Sequence, residues 1–396
     1  MLTYDQALAQ ILGRIAPLPP VVLPLPDALG CVLAEDIFAP QAVPPFDNSS
    51  MDGFAVRAAD LATLPAALPV QGDIAAGALS LPDLVPGSAL RIMTGAPIPP
   101  GADAVVPVED TEESGLGVTF LHPVRLGQNI RRAGEDMASG SLVSESGSRI
   151  RPAEIGMAAV VGRAHLRAHP RPRVAILSTG DELVEPGQPL RSGQIYNSNA
   201  YALAAQVAEA GGVVTHRLHA RDTAEALRDA FDRAAGADVL ITSGGVSVGD
   251  YDFVKDVFAE RGSMDFWRVA IRPGKPVAFG RWEETVFFGL PGNPVSSMVT
   301  FELFVRPALR RLRGLTATAR PTVTARLTEI ASHTPGRQSY QRAVAVSEGG
   351  GYAVTPTSRQ GSGMMHSMVQ ANALLVIPAD VSVIPAGAAA TVLLLD

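Results

Sequence analysis

The chain has 396 residues, long enough for roughly 2 to 4 domains. Apolar residues make up 47% and charged residues 18%, which allows a large buried core and argues against a disordered chain. A formal charge of −7 argues against broad binding to nucleic acid or acidic membranes, which needs a basic face.

Cys31 is the only cysteine, so no intramolecular disulfide and no CxxC metal site can form, and a reducing compartment fits best. The N-terminus lacks a basic n-region and carries Asp5 early, unlike a secretion signal. Proline or charge interrupts every apolar run before the roughly 18 residues that a membrane helix needs. A cytoplasmic protein is expected. Only two of its 32 cations, Lys255 and Lys275, are lysine.

In chain order, Ala7, Ile11 and Ile15 lie at helical spacing behind the possible caps Thr3 and Asp5. Prolines from Pro17 to Pro45 preclude a long helix and leave short extended pieces. Residues 45–140 are rich in Pro and Gly around β-like runs such as AVVPVED and LGVTFLHPV, and read as a β-rich domain. Residues 1–44 and 141–170 would together form a helical and extended linker domain.

The pattern changes at residue 171. RVAILS, GVVTHRLHA and ADVLITSGG read as strands, and helices are expected over 197–211, near Leu227–Ala234 and over DFVKDVFAERG. Strands at WRVAI, PVAFG and TVFFG come next, then a helix from about Pro294 to Leu312. This alternation predicts βαβ units in a doubly wound, largely parallel α/β domain over 171–316. Residues 317–396 alternate as short strands, which fits a small β-barrel or sandwich.

Ligands of an open parallel sheet bind beyond the carboxyl ends of its strands. Asp181 and Glu182 follow the first strand there, Asp222 the second, and GGVSVGDYD the third, with Gly244, Gly245, Gly249, Asp250 and Asp252. PGNPVSS follows the last. Each acid has an ordinary alternative: Asp222 with Glu225 resembles a capping box, Asp252 can cap a helix, and Asp181 can turn the chain. Capping does not explain their convergence. Two carboxylates ~8 Å apart repel by ~2 kcal/mol at an effective dielectric of ~20, so several on one rim call for a cation, and all-oxygen ligands suit Mg²⁺.

The glycine loops suit phosphate, with Ser243, Ser247 and Ser296 as further donors, or they serve only as tight turns. No Walker A motif and no GxGxxG fingerprint is present. Arg268, Arg272 and Lys275 surround a Pro-Gly turn as an oxyanion site or a solvated turn. Outside the sheet, PPFDNSSMDGFAV, RIMTGAPIPPGAD and NIRRAGEDM concentrate polar groups between prolines, as functional residues or ordinary turns.

These segments, with VAILSTGDELVEPGQPLRSGQIYNSN, ITSGGVSVGDYDFVK, FWRVAIRPGKPVAFG and GLPGNPVSS, closely resemble the molybdopterin molybdenumtransferase family, called MoeA in bacteria and related to the gephyrin E domain. They occur in family order across all but the ends of the chain. The resemblance implies an enzyme of molybdenum-cofactor biosynthesis. It would use Mg²⁺ to insert molybdate into adenylyl-molybdopterin, release AMP and leave molybdenum on the dithiolene. It also implies a homodimer whose cleft lies between the α/β domain of one subunit and the β-rich domain of the other. Further expected partners are the molybdopterin adenylyltransferase and molybdoenzyme acceptors, with no nucleic acid and no membrane.

Carried over by motif, Asp52, Thr94 and Asp136 are the catalytic residues of the β-rich domain, and Glu182, Asp222 and Asp252 those of the α/β domain, which would also hold the metal. Ser243, Gly244, Gly245, Ser247, Gly249 and Asp250 would line the substrate site with Pro291, Gly292, Asn293 and Pro294. Arg272 and Lys275 would contact the oxyanion, joined by Arg342 and Ser362 from the last domain. The family often has Tyr where Phe54 stands and Lys where Arg272 stands. Two other functions share parts of this pattern: a molybdopterin adenylyltransferase, which makes the adenylate, and a non-enzymatic scaffold of the gephyrin-E type.

Overall fold

The computed structural model describes residues 1–115, 117–245, 257–258 and 260–395. Its first helix, Tyr4–Arg14, begins with a capping box: the Thr3 hydroxyl accepts from the Gln6 N–H, and the Gln6 side chain accepts from the Thr3 N–H. Ala7, Ile11 and Ile15 pack in one cluster with Val174, Ile176, Val239 and Ile241 of the central sheet. The chain's start thus supports a sheet that begins about 160 residues later. Shortening the fully buried Ile11 to valine is expected to cost about 0.5–1.5 kcal/mol. Urea unfolding followed through the sheet would show it, and no change would mean the helix is merely laid on the surface.

Val21–Pro24 and Val32–Leu33 flank His165–His169 in a three-stranded sheet, so chain from both sides of the middle segment meets there. Cys31 is buried in the apolar cluster beneath it. The middle segment forms a four-stranded sheet, with Gly53–Val56 between Ala89–Ile92 and Ala104–Pro107, and a separate three-stranded sheet. A Cβ on Gly53 would strike the Val106 carbonyl, so only glycine allows these strands to approach. Phe54 is 1% exposed and meets Phe120 edge-on at 6.1 Å. A phenol hydroxyl here would need a partner inside the core, which the phenyl ring does not.

The central sheet has six strands in the order Val213–Ala220, Arg173–Thr179, Val239–Ser243, Thr285–Leu290, Pro276–Trp282 and Gly262–Arg268. The first four are parallel to one another, and the last two pair antiparallel. Alternation sends Val174 and Ile176 to one face, against Leu203, Val207 and Val299, and Ala175 and Leu177 to the other, against Leu227 and Phe231. The strand expected at WRVAI instead spans Gly262–Arg268, where Phe266 lies near Phe279 at 5.7 Å. Val269 and Ile271 are apolar for another reason: both are fully buried where the chain leaves the sheet, and Ile271–Arg272 pairs with Gln338–Ser339 of the C-terminal sheet. Most of the helix expected over 252–262 lies outside the described residues.

The stretch expected as one helix from Pro294 is Pro294–Thr300, a π turn over Phe301–Val305, then Arg306–Leu312. Pro307 explains the wide turn, since it has no N–H to return to the Leu303 carbonyl. The last segment closes as a five-stranded barrel: Gln338–Glu348 pairs with both Gly351–Pro356 and Ala373–Ile377. Its interior is filled by small side chains, Ala325, Ala343, Ala345, Val354 and Val392 among them, as the narrow bore of so few strands requires. Among the described residues no helix is long and apolar enough to cross a membrane.

Candidate active site

The parallel strands deliver their C-terminal ends to a cavity of about 540 Å³ lined by Glu182, Asp222, Ser243, Gly244, Gly245, Gly292, Asn293 and Pro294 among others. All eight were expected from sequence to belong to the site. Asp222 is free for this role because the helix after it is capped by its neighbour: the Thr223 hydroxyl accepts from the Ala226 N–H. The capping reading of Asp222 is therefore corrected. Burial holds the Asp222 carboxyl above its ordinary pKa, and the negative charges of Asp181 and Glu182 push it further the same way. An Asp181 N–H and His219 act in the opposite direction.

Glycine is required on this rim. Gly180 has φ +142°, and a Cβ there would overlap the Glu182 carboxylate. Gly180→Ala is expected to destabilise the fold by about 1–3 kcal/mol and to displace Glu182. Denaturant titration checks the first effect and divalent-ion affinity the second; an unaltered affinity would show that Glu182 need not stand where it does. Gly244, at φ +94°, passes so close to Thr179 that a Cβ would come within 2.9 Å of its hydroxyl.

A second cavity of about 1080 Å³ opens between the sheet domain and the barrel, lined by Arg272, Pro291, Asn293, Arg342 and Ser362 among others. Asn293 lines both cavities, so a single loop joins them. Arg342 is 1% exposed, with burial pushing its pKa down to about 10. Its guanidinium donates to the Ser367 hydroxyl at 3.1 Å and to the carbonyls of Arg359 and Gly361 at 3.3 and 3.1 Å. Among the described residues no carboxylate pairs with it. A buried cation held only by neutral dipoles is prepared for an anionic ligand. Ser362 ties the barrel to the sheet domain, its carbonyl accepting from the Val295 N–H at 3.1 Å.

Family models cover most of the chain: "MoeA N-terminal region (domain I and II)" matches residues 2–162, "Probable molybdopterin binding domain" 175–311, and "MoeA C-terminal region (domain IV)" 324–395. Molybdopterin molybdenumtransferase 2 of Mycobacterium tuberculosis is 44% identical over 379 residues, 93% of each chain. The molybdopterin molybdenumtransferase of Haemophilus influenzae is 39% identical over 406 residues, 99% of this chain and 98% of that one. This chain belongs to the MoeA family. A crystal structure of a molybdopterin biosynthesis MoeA protein from Pyrococcus horikoshii superposes with a TM-score of 0.81 at 32% identity, covering 100% of this chain and 99% of the other. The architecture is accordingly a MoeA-type multidomain fold with a molybdopterin-binding domain and a C-terminal barrel.

Within this MoeA chain Asp52, Thr94, Asp136 and Lys275 lie apart from the two cavities. Asp52 and Thr94 do meet: the Asp52 carboxylate accepts from the Thr94 N–H at 2.6 Å and hydroxyl at 2.8 Å, and these bonds hold its pKa below the usual carboxylate range. Asp136 is exposed. None of these three lines either cavity of its own chain. Lys275 is exposed and also lines neither, unlike Arg272. Ser247, Gly249, Asp250 and Asp252 lie outside the described residues.

Sequence reasoning missed Asn199 and the hydroxyls beside it. Asn199 Nδ2 donates to Ser243 Oγ at 2.8 Å and to the Gly292 carbonyl at 2.7 Å, stapling together the loops that end two different strands. Ser178 and Thr179 line the cavity with buried hydroxyls that have no partner among the described residues, which suits polar ligand atoms. The available signal was the polar NSN tract opening a helix directly after a strand.

Proposed function

We propose that this chain is a molybdopterin molybdenumtransferase that consumes adenylyl-molybdopterin and molybdate and releases AMP. The carrying observation is that one loop, through Asn293, joins an acid-lined cavity at the sheet edge to a cavity floored by the buried Arg342. An adenylylated substrate placed across that loop would bring its phosphoanhydride beside the acids while an oxyanion waits at the arginines.

The donor set fits a divalent metal ion. Glu182, Asp222 and Asp252 supply hard oxygen atoms, and a cation among them would relieve the repulsion that Asp222 meets from its acidic neighbours. Among the described residues no three His, Cys, Asp or Glu side chains suffice as a metal site, so the reading needs Asp252 as the third acid. Mg²⁺ bound there would neutralise charge on the anhydride as it breaks.

The chain's own groups do the rest. The Gly245 N–H donates to a phosphate oxygen, while the Gly244 N–H anchors the turn on the Leu290 carbonyl and Asn199 keeps it in register with the PGNP loop. Arg342 and Arg272, with Ser362, bind molybdate, and Lys275 adds long-range attraction. Preorganised donors and charge are the usual protein contribution in phosphoryl chemistry. The exposed Asp52–Thr94 pair and Asp136 serve the cleft of a second subunit in a homodimer, which accounts for their distance from their own cavities. A cytoplasmic location suits the reduced Cys31.

Incubation with adenylyl-molybdopterin and Mg²⁺ tests the reading: AMP release that requires molybdate supports it. ATP-dependent adenylylation of free molybdopterin would identify an adenylyltransferase instead, and absence of both reactions would leave the scaffold role.

A further inference from the structure

Four arginines gather where the N-terminal strands meet the sheet domain, away from both cavities. Arg313 is 3% exposed and reaches two parts of the chain, donating from Nη1 to the Ala210 carbonyl at 2.9 Å and from Nη2 to the Gly30 carbonyl at 2.5 Å. Arg171 donates to the adjacent Gly211 and Gly212 carbonyls at 3.3 and 2.8 Å. Arg310 stands one helical turn before Arg313 and donates to the Ala317 carbonyl at 2.9 Å. Arg149 bridges to Val32, beside the segment that Arg313 holds.

Arg313 caps the C-terminal end of the helix Ser198–Glu209, where a cation is favoured, and Arg171 holds the turn just beyond it. Capping does not account for the whole group. The buried Nε of Arg313 has no hydrogen-bond partner among the described residues. Among the described residues none of the four forms an ion pair with a carboxylate. The contrast lies close by: Arg306 and Arg320 share Glu302 and Glu209. Glu209, at the end of the helix beside Ala210, is taken by Arg306 and Arg320. The pKa of Arg313 is pushed down to about 10, by burial first and then by Arg149 and Arg310, so the cluster repels itself.

We propose that this junction binds a tetrahedral dianion of the phosphate class. Guanidinium groups present paired N–H donors that match such oxyanions. The exposed Arg149 and Arg171 give access from solvent, while the half-buried Arg310 and buried Arg313 form the floor. Bound there, the anion ties the N-terminal strands to the end of the helix Arg306–Leu312. Its source is free phosphate or the phosphate of a nucleotide.

Equilibrium dialysis of the full chain with inorganic phosphate, at ionic strength held constant with chloride, tests this. An Arg272→Ala background weakens the anion site of the cleft. Adding Arg149→Ala is expected to weaken the remaining phosphate binding about ten- to a hundredfold, and Arg310→Gln should act in the same direction. AMP that displaces phosphate from this site assigns it to nucleotides, and AMP that does not assigns it to free phosphate. Phosphate binding unaffected by both arginine substitutions, or abolished equally by chloride, overturns the proposal. Because Arg149 is remote from the cleft, molybdate-dependent AMP release should persist in Arg149→Ala, so this test is separate from that of the enzymatic reading.

Discussion

Asp222→Asn is expected to lower molybdate-dependent AMP release by about 10²–10⁴-fold, the scale of several kcal/mol of lost charge stabilisation. Chelation of divalent cations should abolish turnover of the unaltered enzyme while pterin binding survives. Turnover that persists in chelator, or in Asp222→Asn, would remove the metal from the mechanism. A stability effect accompanies the catalytic one. The Asp222 carboxyl has a raised pKa in the native state because burial and then Asp181 and Glu182 disfavour its charge. Native protein therefore holds this proton more tightly than unfolded protein, a contribution to stability present below the unfolded pKa and lost as pH rises through the native one. Metal-free enzyme should lose this contribution as pH rises across the carboxylate range and somewhat beyond. The loss should be smaller in Asp222→Asn and reversed by added Mg²⁺. Thermal denaturation across pH, with and without the ion, measures all three.

Arg342→Met is expected to raise the KM for molybdate by about 30- to 5000-fold, the equivalent of about 2–5 kcal/mol for removing one member of a buried charge pair. AMP binding at the acid-lined cavity should change little, because Arg342 does not line it. Methionine fills comparable space, and replacing a buried charge with an apolar side chain often preserves or increases stability. The variant should therefore remain folded by circular dichroism and lose only its anion. A normal KM for molybdate would place the oxyanion elsewhere, whereas loss of AMP binding as well would show that Arg342 supports the loop rather than the ligand.

Much of the sheet edge was legible because parallel βαβ segments carry their own punctuation. Short apolar runs, turns and amphipathic helices announce where each strand ends, and the residues just past each end lie at the rim. Glu182, Asp222, Ser243, Gly244 and Gly292 could thus be gathered from the order of residues alone. The helix at Tyr4–Arg14 was legible from its cap and spacing, but not its attachment to a sheet far along the chain, since a periodic apolar face does not name its partner. The run WRVAI misled for a related reason. Burial made Val269 and Ile271 apolar, and burial in a crossing between two sheets looks the same in sequence as burial in a strand.

Capping chemistry shows the same division at the scale of single residues. Asp222 and Thr223 are adjacent and both are good N-caps, so sequence left their roles exchangeable; the backbone places Thr223 at the cap and Asp222 in the cavity. Asn199 was overlooked because its two acceptors lie 44 and 93 residues away.

The order of residues was enough to supply the chemical inventory: the acids and glycines that end the strands, the lack of a disulfide or nucleotide fingerprint, and a resemblance that the family comparisons bear out. Packing in three dimensions was needed to learn which of those groups share a cavity, that Asn293 joins two cavities, and that Arg342 is a buried cation with no carboxylate beside it among the described residues. Local pattern is governed by backbone geometry and alternation, which neighbours in sequence control, whereas burial and electrostatic partnership depend on distances between segments that meet only when the chain folds.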